Sequence, residues 1–219
     1  MAISTALITG SETFGDYFVN PTKWLALAAR GKIINSHEIH SMILPAIVLD
    51  QKNIPDSGEM IVRKAIELDA KAIISFGMAS EVRGFRIERS GTNWIENEKY
   101  CSEYENRKRI DESRPARERV QIDLSRWNLE KMEKEFKKQK LPFESKISDD
   151  PGNFSCNGWI YRTVKAMQRQ DLHIPYLFVH VSCTKEAIEF VPDFSPKKML
   201  IKKEDLMRGL EIILKNYKK

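Results

Sequence analysis

Three uninterrupted apolar runs limit what this chain can fold into. Ala6, Leu7, Ile8 and Thr9 run into Gly10; Ala72, Ile73, Ile74, Ser75 and Phe76 run into Gly77; and Tyr176 to Val181 form a third run. Short apolar runs without alternation, closed by a glycine or polar residue, are the form of strands buried on both faces. Stretches with helical spacing lie between and after them: Met60, Ile61, Ala65, Ile66 and Leu68; Trp159, Ile160, Val164 and Met167; and Leu206, Met207, Leu210, Ile213, Leu214 and Tyr217. Strands alternating with amphipathic helices predict an α/β sheet, and ligand sites in such sheets lie outside the carboxyl ends of the strands.

Other elements follow from local signals. Asn20 and Pro21 predict a helix entry, with Trp24, Leu25, Leu27 and Ala28 in the helix and Gly31 ending it. Leu129, Met132 and Phe136 predict a helix capped by Ser125 and ending near Lys140, and Phe143 to Ser148 a strand. Two strands are expected near 32–35 and 42–48, the second weakened by Pro45. His37 and His40 fall between them without the spacing of a zinc-binding helix, and read as solvated surface histidines. From Gly84 to Thr92 the pattern alternates, with Phe85 and Ile87 on one face and Arg86 and Glu88 on the other, so Glu88 points into a site or into solvent. The charged stretch from Glu96 to Arg119 has no steady period and reads as loop or lid.

The 219 residues contain no Gly/Ser/Pro-rich linker, so one domain spanning 1–219 is expected. The net charge of +5 comes from 36 basic and 31 acidic residues mixed along the chain, which argues against a nucleic-acid partner. No stretch reads as a membrane span or signal peptide, so a cytoplasmic protein is expected. Cys101, Cys156 and Cys183 form no disulfide pattern and suit a reducing compartment. Gly10 and Gly15 have P-loop spacing, but Asp16 stands where that motif needs a lysine, which disfavours nucleotide binding.

The stretch from Asp149 to Met167 carries the chemistry. Pro151, Gly152 and Asn153 form a turn, and a helix then begins close to Cys156 with Ser155 as its expected N-cap. A helix N-terminus favours a thiolate, the reactive form of cysteine, although an isolated cysteine is also commonly a small buried hydrophobe. His180 lies near the carboxyl end of the third apolar run, where either a site residue or a satisfied core histidine can stand. Together Cys156, His180 and Glu88 could supply a nucleophile, a base and an orienting carboxylate.

Four motifs in order resemble the pyroglutamyl peptidase I family of cysteine peptidases. Thr9 and Gly10 with Phe14, Gly15, Asn20 and Pro21 are similar to its T-G-F-x-P-F-G and N-P. Ile87, Glu88, Arg89 and Asn93 resemble its glutamate motif; Cys156, Asn157 and Tyr161 its C-N-x-x-x-Y; and Phe178 to Val181 its F-I-H-V. The resemblance implies a single-domain α/β/α sandwich around a twisted mixed sheet, with a catalytic triad of Cys156, His180 and Glu88. It implies removal of N-terminal 5-oxoproline from small peptides with a blocked N-terminus, with no metal or organic cofactor, and it leaves assembly into a homo-oligomer open. Ser11, Phe14, Asn20, Met78, Phe154, Arg109 and Ile110 are the implied substrate-binding positions. Two of them depart from the family: Ser11 replaces an aromatic residue and Met78 a glutamine. Arg109 and Ile110 follow the glutamate motif only after an apparent insertion. A working omega peptidase with altered preference is therefore expected, the alternative being a binding or regulatory protein that retains the fold without turnover.

Overall fold

Each apolar run is a strand of one central sheet. The computed structural model describes residues 3–15, 17, 19–46, 56–98, 106–189 and 200–218; Asp16, Cys101 and the far end of the strand expected to reach Val48 lie outside them. In chain order the elements are β1 (Ser4–Ser11), α1 (Pro21–Ala29), β2 (Ile33–Ile34), β3 (His37–Leu44), α2 (Ser57–Glu67), β4 (Ala72–Met78), β5 (Phe85–Glu88), β6 (Ser90–Thr92) and β7 (Arg119–Gln121). There follow α3 (Leu129–Lys138), β8 (Phe143–Ser148), α4 (Ser155–Arg169), β9 (Tyr176–Val181), α5 (Lys185–Ile188) and α6 (Lys203–Lys215). The main sheet has the order β2-β3-β1-β4-β9-β5-β8, and β6 and β7 form a separate pair. Strands β3, β1, β4 and β9 are mutually parallel, whereas β5 runs antiparallel to β9. The sheet is mixed, as expected.

Side-chain alternation divides the core between the two faces. Ala72, Ile74 and Phe76 of β4 and Leu177, Val179 and Val181 of β9 pack with α1, α3 and α6, through residues such as Leu25, Phe136 and Leu210. Ile73 of β4 with Tyr176 and Phe178 of β9 packs instead with Ile61 of α2 and Trp159, Ile160 and Val164 of α4. Because successive side chains of a strand point to opposite faces, His180 lies on the α4 side with Phe178. Phe136 is fully buried, stacked on Phe143 at 4.6 Å between ring centroids and tilted against Phe85 at 4.9 Å. Phe136→Ala should therefore cost about 3–5 kcal/mol, seen as a lowered urea midpoint with an unchanged slope; a loss below about 1 kcal/mol would mean that this layer collapses freely.

Several local expectations need correction. His37 is buried within β3, not solvated between strands: its Nδ1 lies 2.7 Å from the Ser4 hydroxyl and its ring meets the Tyr217 ring edge-on. The strand containing Met42 begins earlier than expected, at His37, and ends at Leu44, before Pro45 can remove a ladder hydrogen bond. Asn128 rather than Ser125 caps α3, accepting from the Lys131 N–H at 3.2 Å. At α4 the N-cap position is Phe154; Ser155 is already helical, and its buried hydroxyl meets no hydrogen-bond partner among the described residues. The charged stretch is not all loop, since β7 pairs with β6 and an isolated bridge joins Ile95 to Lys108.

Candidate active site

The sheet brings Glu88, His180 and Cys156 together from three elements. Strand β9 lies between β4 and β5, with Arg86 opposite His180 and Glu88 opposite Phe178 in the antiparallel register. Glu88 is wholly buried and lies diagonally across from His180, whose Nδ1 is 2.7 Å from Glu88 Oε1. The imidazole also shares the lining of one cavity with the half-buried Cys156 in the first turn of α4. Gly77 of the neighbouring β4 makes this convergence fit. A Cβ there would stand 2.7 Å from the Cys156 sulfur and 3.0 Å from His180 Cδ2.

Electrostatics favour the charged forms of both His180 and Glu88. Burial works against the imidazolium, yet the neighbouring Cys156 and Glu88 groups outweigh it, and the His180 pKa is pushed up to about 10. Its contribution to stability is complete below the ordinary value of 6.5 and is lost as pH rises through about 10. Burial likewise opposes a charged Glu88, but the hydrogen bond and charge of His180 bring its pKa below the usual carboxylate value.

Other motif residues build the frame. The buried Asn157 side chain accepts from the Thr92 N–H at 2.7 Å and donates to the carbonyls of Thr92 and Trp94, tying the start of α4 to β6. Asn93 does the same for the charged loop, donating to the carbonyls of Asp111 and Pro115 and accepting from the Asp111 N–H. Tyr161 donates to Glu118 at 2.5 Å. These contacts replace regular secondary structure across a segment that shows no periodic pattern.

Beside the cysteine lies a cavity of about 170 Å³, with Phe14, Tyr17, Met78, Phe154 and Trp159 among its walls and both Cys156 and His180 in its lining. The Phe14 ring is tilted against Tyr17 at 5.3 Å and against Phe154 at 6.1 Å. A half-buried cysteine beside a buried histidine–carboxylate pair, opening on an aromatic cavity, is suited to nucleophilic attack on an amide.

Comparison with known proteins agrees with this geometry. The profile of the pyroglutamyl peptidase family matches residues 4–215. The chain belongs to that family of cysteine-type peptidases. A pyrrolidone-carboxylate peptidase of Oceanobacillus iheyensis is 26% identical over 219 residues, covering 95% of this chain and 96% of its own. A protein of the same name from Brachyspira hyodysenteriae is 26% identical over 212 residues, covering 96% of each chain. Among solved structures, the pyrrolidone carboxyl peptidase from Thermococcus litoralis superposes with a TM-score of 0.78 at 22% identity, covering 98% of this chain and 93% of its own. Pyroglutamyl peptidase I from Bacillus amyloliquefaciens gives 0.78 at 19% identity, covering 98% and 95%. These two likenesses show the shared fold.

Within this pyroglutamyl peptidase family member, the residues named from sequence separate into two groups. Ser11, Phe14, Met78 and Phe154 line the cavity with Cys156 and His180, and Glu88 lies behind the histidine. Asn20, Arg109 and Ile110 are not part of the lining. The Asn20 side chain caps α1 through the Thr22 N–H and donates to the Glu12 carbonyl, so its placement is structural. Arg109 pairs with Glu112 at 2.7 Å, while Ile110 packs against the core beside α2 and α4 and lines a separate polar cavity with Tyr161 and Lys165.

Tyr17, Asn97 and Arg86 were missed by sequence reasoning. Tyr17 supplies an aromatic wall where Ser11 leaves none, and Asn97 reaches the cavity from the charged stretch. Arg86 Nε lies 2.7 Å from Glu88 Oε1, a pairing foreshadowed only by their shared face in the alternation. Among the described residues no helix is long and apolar enough to cross a membrane.

Proposed function

We propose that the chain removes N-terminal 5-oxoproline from small blocked peptides, with Cys156 as nucleophile, His180 as acid and base, and Glu88 as the orienting carboxylate. The reading is supported most by the 2.7 Å His180 to Glu88 bond placed beside Cys156 at an aromatic-walled cavity. The thiolate attacks the carbonyl joining the ring to the next residue, forming a carbon–sulfur bond. The carbon–nitrogen bond then breaks as His180 gives its proton to the departing amine. Water, activated by the now neutral imidazole, hydrolyses the thioester and releases 5-oxoproline. Backbone N–H groups at the start of α4 are the natural donors to the developing oxyanion, since the first turn of a helix leaves them unpaired within the helix.

Purified protein should release the fluorophore from a pyroglutamyl aminocoumarin amide, and iodoacetamide should inactivate it at near-neutral pH by alkylating Cys156. A folded protein with no turnover and a thiol as slow as an unactivated cysteine would instead favour the binding-protein alternative.

The cavity walls further suggest altered preference. Met78 is almost fully buried and packs with Phe14, Tyr17, Cys183, Ala187 and Ile188, and its thioether has no hydrogen to donate to a lactam carbonyl. Ser11 removes apolar contact with the ring, a difference of about 1–3 kcal/mol in pocket discrimination. Ser11→Phe combined with Met78→Gln should therefore raise kcat/KM on the pyroglutamyl amide about tenfold or more. A folded double variant with no gain would show that Tyr17 already fills the role of the missing aromatic.

A further inference from the structure

Glu88 Oε1 accepts two hydrogen bonds, from His180 Nδ1 and from Arg86 Nε, both at 2.7 Å. The arrangement follows from the strand register: Arg86 and Glu88 are two residues apart on one face of β5, and Arg86 stands directly opposite His180 on β9. Two cations in a cross-strand pair repel unless a carboxylate lies between them. The Arg86 side chain is 15% exposed, so its charge is only partly screened, and its far end reaches Glu81 at 3.4 Å. Glu81 also lines the cavity beside Cys156. A chain of charge therefore runs from the cavity wall through Arg86 and Glu88 to His180.

We propose that Arg86 is a positioning residue of the catalytic centre, pinning the Glu88 carboxylate and offsetting part of its charge so that the imidazolium is held less tightly than by Glu88 alone. The inference rests on the peptidase reading above for its functional meaning, but not for its physical test. The bond through Nε fixes the same carboxylate oxygen that orients the imidazole, so the rotamer of Glu88 does not depend on His180 alone. The charged and titratable groups facing this cluster are Cys156 from α4, Arg86 and Glu88 from β5, Glu144 from β8, and Glu81 after β4. Arg86 is the cation among them other than the imidazolium. Without it, His180 would keep its proton to still higher pH, and neutral imidazole, the form that must activate water in the second half of the reaction, would be scarcer.

The test is the pH titration of the His180 ring by NMR, assigned with His180→Gln, alongside the pH profile of kcat/KM on the pyroglutamyl amide. Arg86→Gln should move the ring titration and the alkaline limb of the profile upward by about 0.5–1.5 pH units, because a nearby positive charge has been removed. Arg86→Lys, which keeps the charge, should restore the profile to within about 0.3 units of the parent. Glu81→Gln probes the same chain from its exposed end, with little risk to folding, and should move the ring titration downward by about 0.2–0.5 units. An unshifted Arg86→Gln titration, a Lys variant displaced as far as the Gln variant, or an upward shift in Glu81→Gln would each overturn the proposal. If Arg86→Gln does not fold, Arg86→Met, which keeps the apolar stem and removes the charge, takes its place with the same expected shift. If the parent protein fails to hydrolyse the amide, the peptidase reading falls while the ring titration still measures the effect of Arg86.

Discussion

Cys156→Ala should abolish hydrolysis of a pyroglutamyl amide, lowering kcat by at least about 10⁴-fold while leaving the melting temperature nearly unchanged. The side chain is half-buried at a helix start, and its loss removes the proposed nucleophile while leaving the surrounding packing largely intact. His180→Ala should come close to the same loss, since without it the thiol keeps its proton and the amine leaves without one. Glu88→Gln should retain a measurable remnant, about 10²- to 10⁴-fold below the parent, because an amide at that position can still touch Nδ1 but cannot stabilise an imidazolium. It also leaves Arg86 without the carboxylate it bonds, so this variant, like His180→Ala, which takes a partner from the buried Glu88, should lose stability as well. Full turnover in Cys156→Ala protein freed of host peptidases would falsify the mechanism.

The second large effect is expected at a residue with no side chain. In Gly77→Ala the new methyl group would stand 2.7 Å from the Cys156 sulfur, closer than real contacts allow, and 3.0 Å from the His180 ring, which is tight. Something must move, and with Phe178, also at 3.0 Å, the nearest groups are the proposed nucleophile and base. A displacement near 1 Å suffices to lower kcat by about 10²-fold or more. The cost to folding should stay near about 1–3 kcal/mol, the usual range for overpacking. Single-turnover kinetics together with a denaturant titration separate the two contributions. A variant that turns over like the parent would mean that sulfur and imidazole do not occupy these positions during the reaction.

The parts of the fold that were legible in the sequence are those whose signals are local. Ala72 to Phe76 and Tyr176 to Val181 read as buried strands because no residue in either run is required to face water, and both are central strands. The helix after Cys156 was evident from its preceding turn and its spacing, although its cap was not. What could not be read depends on partners distant in sequence. His37 looked solvated because the hydroxyl that meets it belongs to Ser4, 33 residues away on the neighbouring strand. Asn128 displaced Ser125 as a cap because the chain turns once more before α3 begins, with a hydrogen bond from the Trp127 N–H to the Leu124 carbonyl. Arg86 appeared only as the neighbour of Glu88 in an alternating strand; its function emerges once β9, 92 residues beyond Glu88, is laid beside β5. The order of motifs brought Cys156, His180 and Glu88 to notice, whereas the pocket walls contributed by Tyr17 and Asn97 belong to stretches with no such pattern.

The insertion of β9 between β4 and β5 also governs when the site comes into existence. Glu88 and Gly77 leave the ribosome long before His180, and neither can meet the imidazole until β9 has been made and inserted between β4 and β5. Pairing across such sequence distances is slow compared with helix formation. During refolding, helical signal should therefore return first and thiol reactivity of the activated kind last, so the rate at which Cys156 regains its fast alkylation reports the closure of the sheet itself. Until His180 has been made, a nascent chain of this design lacks the base proposed to activate Cys156.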